Sequence, residues 1–360
     1  MKQYKIFDGH IDTLTALYDS EHRQVRSFIA SSAVGHVDIP RARKGGMAGG
    51  FFAICTPPPQ SSPYKDPFFG LDLTANGYTV KYPPPLESEY SENFVNCVID
   101  FAFKLESQSA NQFKLVQNYL ELVRCIEDEI LAGIIHIEGA EPIKTDLSNL
   151  PVYYDKGVRS IGLVWSRPNE FGFGVPYRYP STPDIGSGLT RAGLKLVDAC
   201  NELKIIIDLA HINDKGFWDV VARSKQPIVV SHTAVHTLCP ASRNITDRQI
   251  DAIGDSGGVI GIWFEPTHIQ YQSSGGGKPI SDVTAGQIAK HIEYIAERIG
   301  IDHVAIGSDF DGADMPSEIS DVSCYPWLME KLADFGYSTS ELGKIAMGNW
   351  LRIIRTIWGG

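Results

Sequence analysis

Eight apolar runs of strand length recur along this chain, and the segments between them carry helical spacing. The runs span residues 4–9, 49–55, 133–137, 159–165, 204–209, 227–231, 257–264 and 303–307. Most are rich in Ile and Val and apolar throughout, as strands buried on both faces must be. Helical spacing follows, for example over 189–203, where Leu194, Val197 and Leu203 recur, over 285–299 and over 340–357. Strand then helix, eight times over, is the pattern of a (β/α)8 TIM barrel in the α/β class; an open doubly wound sheet is the competing layout. The 360 residues suit a single barrel domain, 1–360, with 56–132 inserted between strands two and three. Pro-rich stretches at 55–67 and 82–85 flank that insertion, and its helical part is expected over 91–130. It reads equally as a surface excursion or as a cover or dimer contact.

Composition narrows the function classes. There are 43 acidic and 32 basic side chains, a net charge of −11, which argues against a partner bound through its phosphates. No stretch approaches the ~20 apolar residues of a membrane helix. The six cysteines, Cys55, Cys97, Cys125, Cys200, Cys239 and Cys324, are scattered with no Cys-x-x-Cys, as expected of free thiols in a reducing compartment. Neither a secretory signal nor a removable hydrophobic tail is visible at the ends, so the expectation is a cytoplasmic protein. Asn244-Ile245-Thr246 fits a glycosylation sequon that such a protein leaves unused.

The sharper signal lies where the strands end. Strand one ends in Gly9-His10-Ile11-Asp12, strand three in His136-Ile137-Glu138-Gly139 and strand five in Asp208-Leu209-Ala210-His211. Strand six ends in Ser231-His232-Thr233, and strand eight in Gly307-Ser308-Asp309-Phe310-Asp311-Gly312. Barrel active sites are built at these C-terminal ends. His10 and Asp12 are two apart, so on an extended strand both face one way and can grip one divalent cation. His211 and His232, from neighbouring strands, can hold a second, and Glu138 has two oxygens with which to bridge them. Nitrogen and oxygen donors without thiolate suit Zn, and also Mn, Fe or Co. Asp309 is left over as a proton carrier. A bridged pair of metals acidifies water and polarises a carbonyl, so the chemistry implied is metal-assisted hydrolysis.

In this order the motifs resemble the membrane dipeptidase (renal dipeptidase) family, peptidase family M19, among the amidohydrolase-like barrels. The likeness extends through Ala241-Ser242-Arg243-Asn244 to Gly348-Asn349-Trp350-Leu351-Arg352. It implies two zinc ions, with His10 and Asp12 on one, His211 and His232 on the other, and Glu138 between. It implies Asp309 as the acid/base and Arg243 as the holder of the substrate's free carboxylate, with Asn244 and Trp165 beside the substrate. The expected activity is hydrolysis of dipeptides, including those with a C-terminal D-residue, by a protein that can be a homodimer.

One position departs from the family. Its best-known members carry at the end of strand four a His that stabilises the developing oxyanion, and here Trp165 holds that place. No His occurs between His136 and His211. Losing such a donor typically costs ~10²–10³ in rate unless replaced, and Arg167 and Asn169 are the nearest candidates. This opens a second reading, an amidohydrolase acting on N-acyl amino acids or another small carboxylate-bearing amide, and a third, a non-catalytic metal-binding barrel. His236, four residues after His232, is expected to take no metal. His22, His36, His136, His268, His291 and His303 are expected on the surface or in packing. Ser273-Ser274-Gly275-Gly276-Gly277-Lys278-Pro279 is expected to be a loop after strand seven, able to serve as a lid rather than as a phosphate loop.

Overall fold

β-branched residues stiffen the backbone toward extended geometry, and chains of them buried on two faces need helices to cover both. In the computed structural model of the protein, which describes residues 4–21, 26–65, 69–74, 76–271 and 282–359, the eight runs form one parallel sheet in chain order. The strands are β1 (Ile6–Ile11), β2 (Met47–Cys55), β3 (Leu131–Glu138), β4 (Val158–Gly162), β5 (Ile206–Asp208), β6 (Val229–Thr233), β7 (Val259–Ile262) and β8 (Val304–Ile306). Between β2 and β3 the register runs unbroken, from Gly49 opposite Ala132 to Cys55 opposite Glu138. The sheet curls until β8 meets β1, and the seam is made by residues just past β8. Asp309 N–H donates to His10 O (3.0 Å), and Asp12 N–H to Phe310 O (2.8 Å). The architecture is the (β/α)8 barrel expected from the alternation, not an open sheet.

Several strands are shorter than their apolar runs. The run at 159–165 leaves the ladder after Gly162, and that at 257–264 after Ile262, because the ends of these strands turn into loops over the barrel mouth. The helical stretch expected at 91–130 is two helices, Ser88–Gln108 and Tyr119–Glu127, with a short strand, Phe113–Leu115, between them. Ala110 and Asn111 adopt φ of 51° and 63°, left-handed values that no helix can continue through. The loop expected at 273–279 and His22 lie outside the described residues. All six cysteines are free, and among the described residues no helix is long and apolar enough to cross a membrane.

The barrel interior is layered. At the floor Phe7, Phe51, Ile134, Ile206, Val229, Val259 and Ala305 pack around Trp350 from the last helix, Asn349–Trp358. The Trp350 indole donates to Ile306 O at 2.8 Å. Above this floor β6 bulges between Val230 and Thr233, and the Ser231 carbonyl turns toward three glycines on neighbouring strands. A Cβ on Gly9 would lie 2.7 Å from that oxygen, and one on Gly261 or Gly307 only 1.9 Å. Three strands have thus given up a side chain to admit one backbone. Gly261→Ala is therefore expected to cost about 1–3 kcal/mol by overpacking, read as a lower urea midpoint. An unchanged midpoint would mean that β6 retreats freely.

Candidate functional site

Side chains alternate along a strand, which by itself would set His10 opposite Phe7; the register shift between Asp8 and Ile11 brings His10 and Asp12, two apart, to the mouth above Phe7. Asp8 secures that end. Its carboxylate accepts from Ser308 N–H (2.8 Å), Ser308 Oγ–H (2.5 Å), the Tyr325 hydroxyl and His10 N–H (3.1 Å), tying β1 to the segment after β8. Asp309 and Asp311 stand in left-handed conformation, with φ of 65° and 70°. Gly312 lets the carboxylates of Asp12 and Asp309 come close: a Cβ there would lie 2.0 Å from Asp12 Oδ2 and 2.4 Å from Asp309 Oδ1. Asp311 in turn accepts from Thr13 Oγ1 (2.7 Å), Arg26 Nη2 (2.6 Å) and His36 N–H (2.7 Å), and so fixes the turn that carries Asp309.

The residues expected as ligands converge. Glu138 Oε1 lies 2.8 Å from His211 Nε2, 3.6 Å from His10 Nε2 and 3.7 Å from His232 Nε2. His10 Nε2 is 3.4 Å from Asp12 Oδ2 and 4.0 Å from Asp309 Oδ1. Among the described residues three sets of donor atoms are each close enough for one cation: Glu138 with His211 and His232, His10 with Asp12 and Asp309, and His10 with Asp208 and His232. All these side chains are buried. His10 Nε2, fully buried, has no hydrogen-bond partner. Buried imidazoles and carboxylates with an orphaned nitrogen aimed among them are what a divalent metal needs, and the set fits two ions.

Electrostatics agree with that reading. Burial, then the positive Arg243 and His10 nearby, hold His211 and His232 well below the usual imidazole range, in the neutral form that ligates. Burial also acts to lower His10, but Glu138, Asp12 and Asp309 outweigh it and lift the ring to about 10. Glu138 is raised to about 7 by burial, against the pull of His10. Asp309 is raised well above the carboxylate range by burial and then by Asp12. A carboxyl so placed readily holds a proton, as a general acid must.

Arg243 is buried against the site. Its Nη1 donates to Ala210 O, its Nη2 to His232 O (3.3 Å), and the guanidinium lies 4.7 Å over the Trp263 ring. Its Nε is 3.0 Å from His211 Nδ1, which Ser166 Oγ also reaches at 2.8 Å. The Arg243 N–H can only donate, whereas the Ser166 hydroxyl can also accept; a proton on Nδ1 facing Ser166 makes Nε2 the ligand nitrogen, and Arg243 Nη2, 3.1 Å from Nε2, must give way to a cation there. Trp165 leans beside His211, ring centroids 5.8 Å apart, and meets Tyr177 edge-on at 6.2 Å. Arg167 is held by Glu141 (3.0 Å) and Thr56 O (2.8 Å), with Nη1 left unpartnered. Asn169 is committed to its own turn, bonded to Leu163 O and to the Phe171 and Gly172 N–H groups. Asn244 spends both amide hydrogens on Cys239 O (2.8 Å) and His268 O (2.7 Å); it orders loops rather than offering a donor to a carboxylate.

The remaining histidines divide. His236 reaches Ser181 O (3.0 Å) and belongs to no ligand set among the described residues. His291 bridges Val235 N–H and Ile269 O, and His303 reaches Gly258 O, as packing residues do. His268 is buried with Glu265 beneath Trp263 and Tyr177. His136 was expected in packing, yet it stands under the site, edge-on to His10 at 5.4 Å, with Nδ1 on Ser160 Oγ and Nε2 3.6 Å from Asp208 Oδ2. Its spacing of two from Glu138 was the available signal. Asp208, Ser231 and Tyr177 were also not singled out. Tyr177 sits in the loop after β4, where the sequence carries no periodicity to place it.

Comparison with known proteins places this geometry. The sequence profile of membrane dipeptidase (peptidase family M19) matches residues 1–358. A metallo peptidase of Rhodobacter sphaeroides, solved with a phosphinate mimic of the dipeptide L-Ala-D-Ala, superposes with a TM-score of 0.92 at 36% identity over 99% of this chain and 100% of that one. An uncharacterised Klebsiella pneumoniae protein in the pqqA 5' region is 41% identical over 71% of this chain and 93% of its own length. The dipeptidase ataJ of Aspergillus terreus is 27% identical over 98% of this chain and 84% of its own.

The buried carboxylates repel one another, and a cation relieves them. Zinc added to metal-stripped protein is expected to raise the unfolding free energy by about 2.7 kcal/mol at one hundred times its Kd, measured by calorimetry. Glu138→Gln should abolish most of that rise. A full rise in the variant would remove Glu138 from the metal site.

Proposed function

The chain belongs to the membrane dipeptidase family, peptidase family M19, and is a metal-dependent hydrolase; on that premise we propose that it is a binuclear zinc dipeptidase. The observation that carries this is the placement of Glu138 Oε1 within 3.7 Å of three imidazole Nε2 atoms. His10 and Asp12 would hold one ion, His211 and His232 the other, and Glu138 both. Two such ions supply a water acidic enough to attack at neutral pH and a Lewis acid for the scissile carbonyl. Asp309 takes the proton of the attacking water on its carboxylate and passes it to the leaving amine. Its raised affinity for a proton suits the second half of that cycle, and its carriage on the barrel seam beside His10 suits the first. The segments after β4, β6 and β7, bearing Trp165, Arg243 and Trp263, exclude water from the mouth.

The substrate class follows from charge. Arg243 is a buried cation beside the reacting centre, and a dipeptide's C-terminal carboxylate is the natural partner for a guanidinium. The Rhodobacter relative bound to an L-Ala-D-Ala mimic supports tolerance of a C-terminal D-residue. Six free thiols support a cytoplasmic setting. Trp165, standing beside His211 where the family's oxyanion His is expected, favours one further reading, in which the amide cleaved is that of an N-acyl amino acid.

Hydrolysis of L-Ala-L-Ala, L-Ala-D-Ala, Gly-D-Ala and N-acetyl amino acids separates the two readings. Asp309→Asn is expected to lower kcat on the preferred substrate by ~10²–10⁴ while zinc content stays at two per chain; undiminished turnover would remove Asp309 from the mechanism. Arg243→Met should raise KM sharply for free dipeptides and little for their C-terminal amides. Equal effects on both would dissociate Arg243 from the carboxylate.

A further inference from the structure

Beneath the ligand atoms, one hydroxyl touches both halves of the site. Ser231 Oγ lies 2.5 Å from Asp208 Oδ2, 2.8 Å from His232 Nδ1 and 3.5 Å from His10 Nδ1. We propose that Ser231 is a positioning residue common to both metal subsites, its hydroxyl accepting from Nδ1–H of His232 and of His10 and thereby presenting Nε2 of each ring as a ligand. The inference rests on the ligand assignment proposed above and adds what orients those ligands.

A serine hydroxyl has one hydrogen and two lone pairs. The hydrogen goes to Asp208, an acceptor whose other oxygen receives Ser231 N–H (2.7 Å) and Ala210 N–H (3.2 Å). Asp208 is therefore held on three sides and cannot turn away. With its hydrogen committed, the hydroxyl offers only lone pairs upward, and both imidazoles must answer with Nδ1–H. A ring with its proton on Nδ1 has its free pair on Nε2. Metal-binding histidines ordinarily each have their own outer partner; here a single oxygen serves two rings whose centroids are 3.9 Å apart.

The backbone shows what this arrangement requires. The hydroxyl reaches the barrel centre because β6 bulges at Ser231, and the bulge fits because Gly9, Gly261 and Gly307 carry no side chain against its carbonyl. His136, buried edge-on to His10 with Nε2 3.6 Å from Asp208 Oδ2 and Nδ1 on Ser160 Oγ, closes the layer from the β3 side. A spacer needs no hydroxyl at this point, whereas a shared acceptor does. The consequence is specific: removing one oxygen weakens both metal subsites, though no ligand is touched.

The test is zinc titration of metal-stripped protein against a competing chelator, with proton NMR of the ring N–H groups in the zinc-loaded form. Wild type should take two zinc ions and show protected Nδ1–H signals from His10 and His232. Ser231→Ala should weaken both zinc ions by about 10–100-fold and expose both signals to exchange. Asp208→Asn, whose amide oxygen must meet the Ser231 and Ala210 N–H groups and whose NH2 then faces the hydroxyl, frees the hydroxyl hydrogen to turn toward an imidazole Nδ1; it should act in the same direction, and it carries the test if Ser231→Ala does not fold. Wild-type affinity in both variants, a change confined to one zinc ion, or an Nε2–H tautomer on either ring in the loaded wild type would overturn the inference. A wild type that binds no zinc overturns the ligand assignment and this inference together. Two tight zinc ions without dipeptide cleavage overturn only the substrate reading, and the Ser231 affinities still decide the present one.

Discussion

A carboxylate buried at the centre of the barrel mouth is the constraint from which the rest of the site follows. Glu138 is 4% exposed, and an ionised acid so placed costs several kcal/mol unless charge or hydrogen bonds compensate it. Asp12 and Asp309 add like charge at the same depth. Only one neighbouring imidazole, His10, is pushed toward the charged form, and the other two are held neutral. The protein alone leaves this centre short of positive charge, which is why the donor set makes sense as a metal cradle rather than as an ion-pair network. Family membership and physical argument meet at this point.

The barrel delivers that cluster through layers with distinct tasks. Trp350 and seven apolar residues form the floor. The Ser231 layer above it is polar, with His136 Nδ1 on Ser160, Ser231 on Asp208, and His136 Nε2 left without a hydrogen-bond partner. Only then come the ligand atoms. The closing seam is part of the chemistry, because the same two backbone hydrogen bonds that join β8 to β1 set Asp309 beside His10 and Asp12. Rearranging the seam would displace Asp309, the proposed acid/base, together with the fold.

The wall of the mouth is built from loops. The segment after β4 carries Trp165 leaning on His211, Arg167 locked to Glu141, and Tyr177 facing both Trp165 and His268. Residues of the small sheet formed by Asp72–Thr74, Gly77–Thr79 and Arg178–Tyr179 join this wall through Tyr78, which reaches His268 Nε2 at 3.4 Å. A ligand cluster fixed by strands and a wall fixed by loops can change independently, which is how one barrel serves different amides.

The sequence by itself determined the strand count and the barrel class and picked out the His, Asp and Glu side chains that meet at the mouth, because period and strand-end position are local properties. His10 and Asp12 are two residues apart on one strand, and that spacing alone puts them on one face. Tertiary structure decided what depends on neighbours distant in the chain. His136 looked like packing until β5 brought Asp208 beneath it. Asn244 looked available until its amide was spent on Cys239 and His268. Ser231 looked like a motif filler until the bulge in β6 and three glycines set its hydroxyl between two imidazoles. A hydroxyl's role is fixed by who stands within 3.5 Å of it, and in a closed barrel those partners come from strands more than two hundred residues apart.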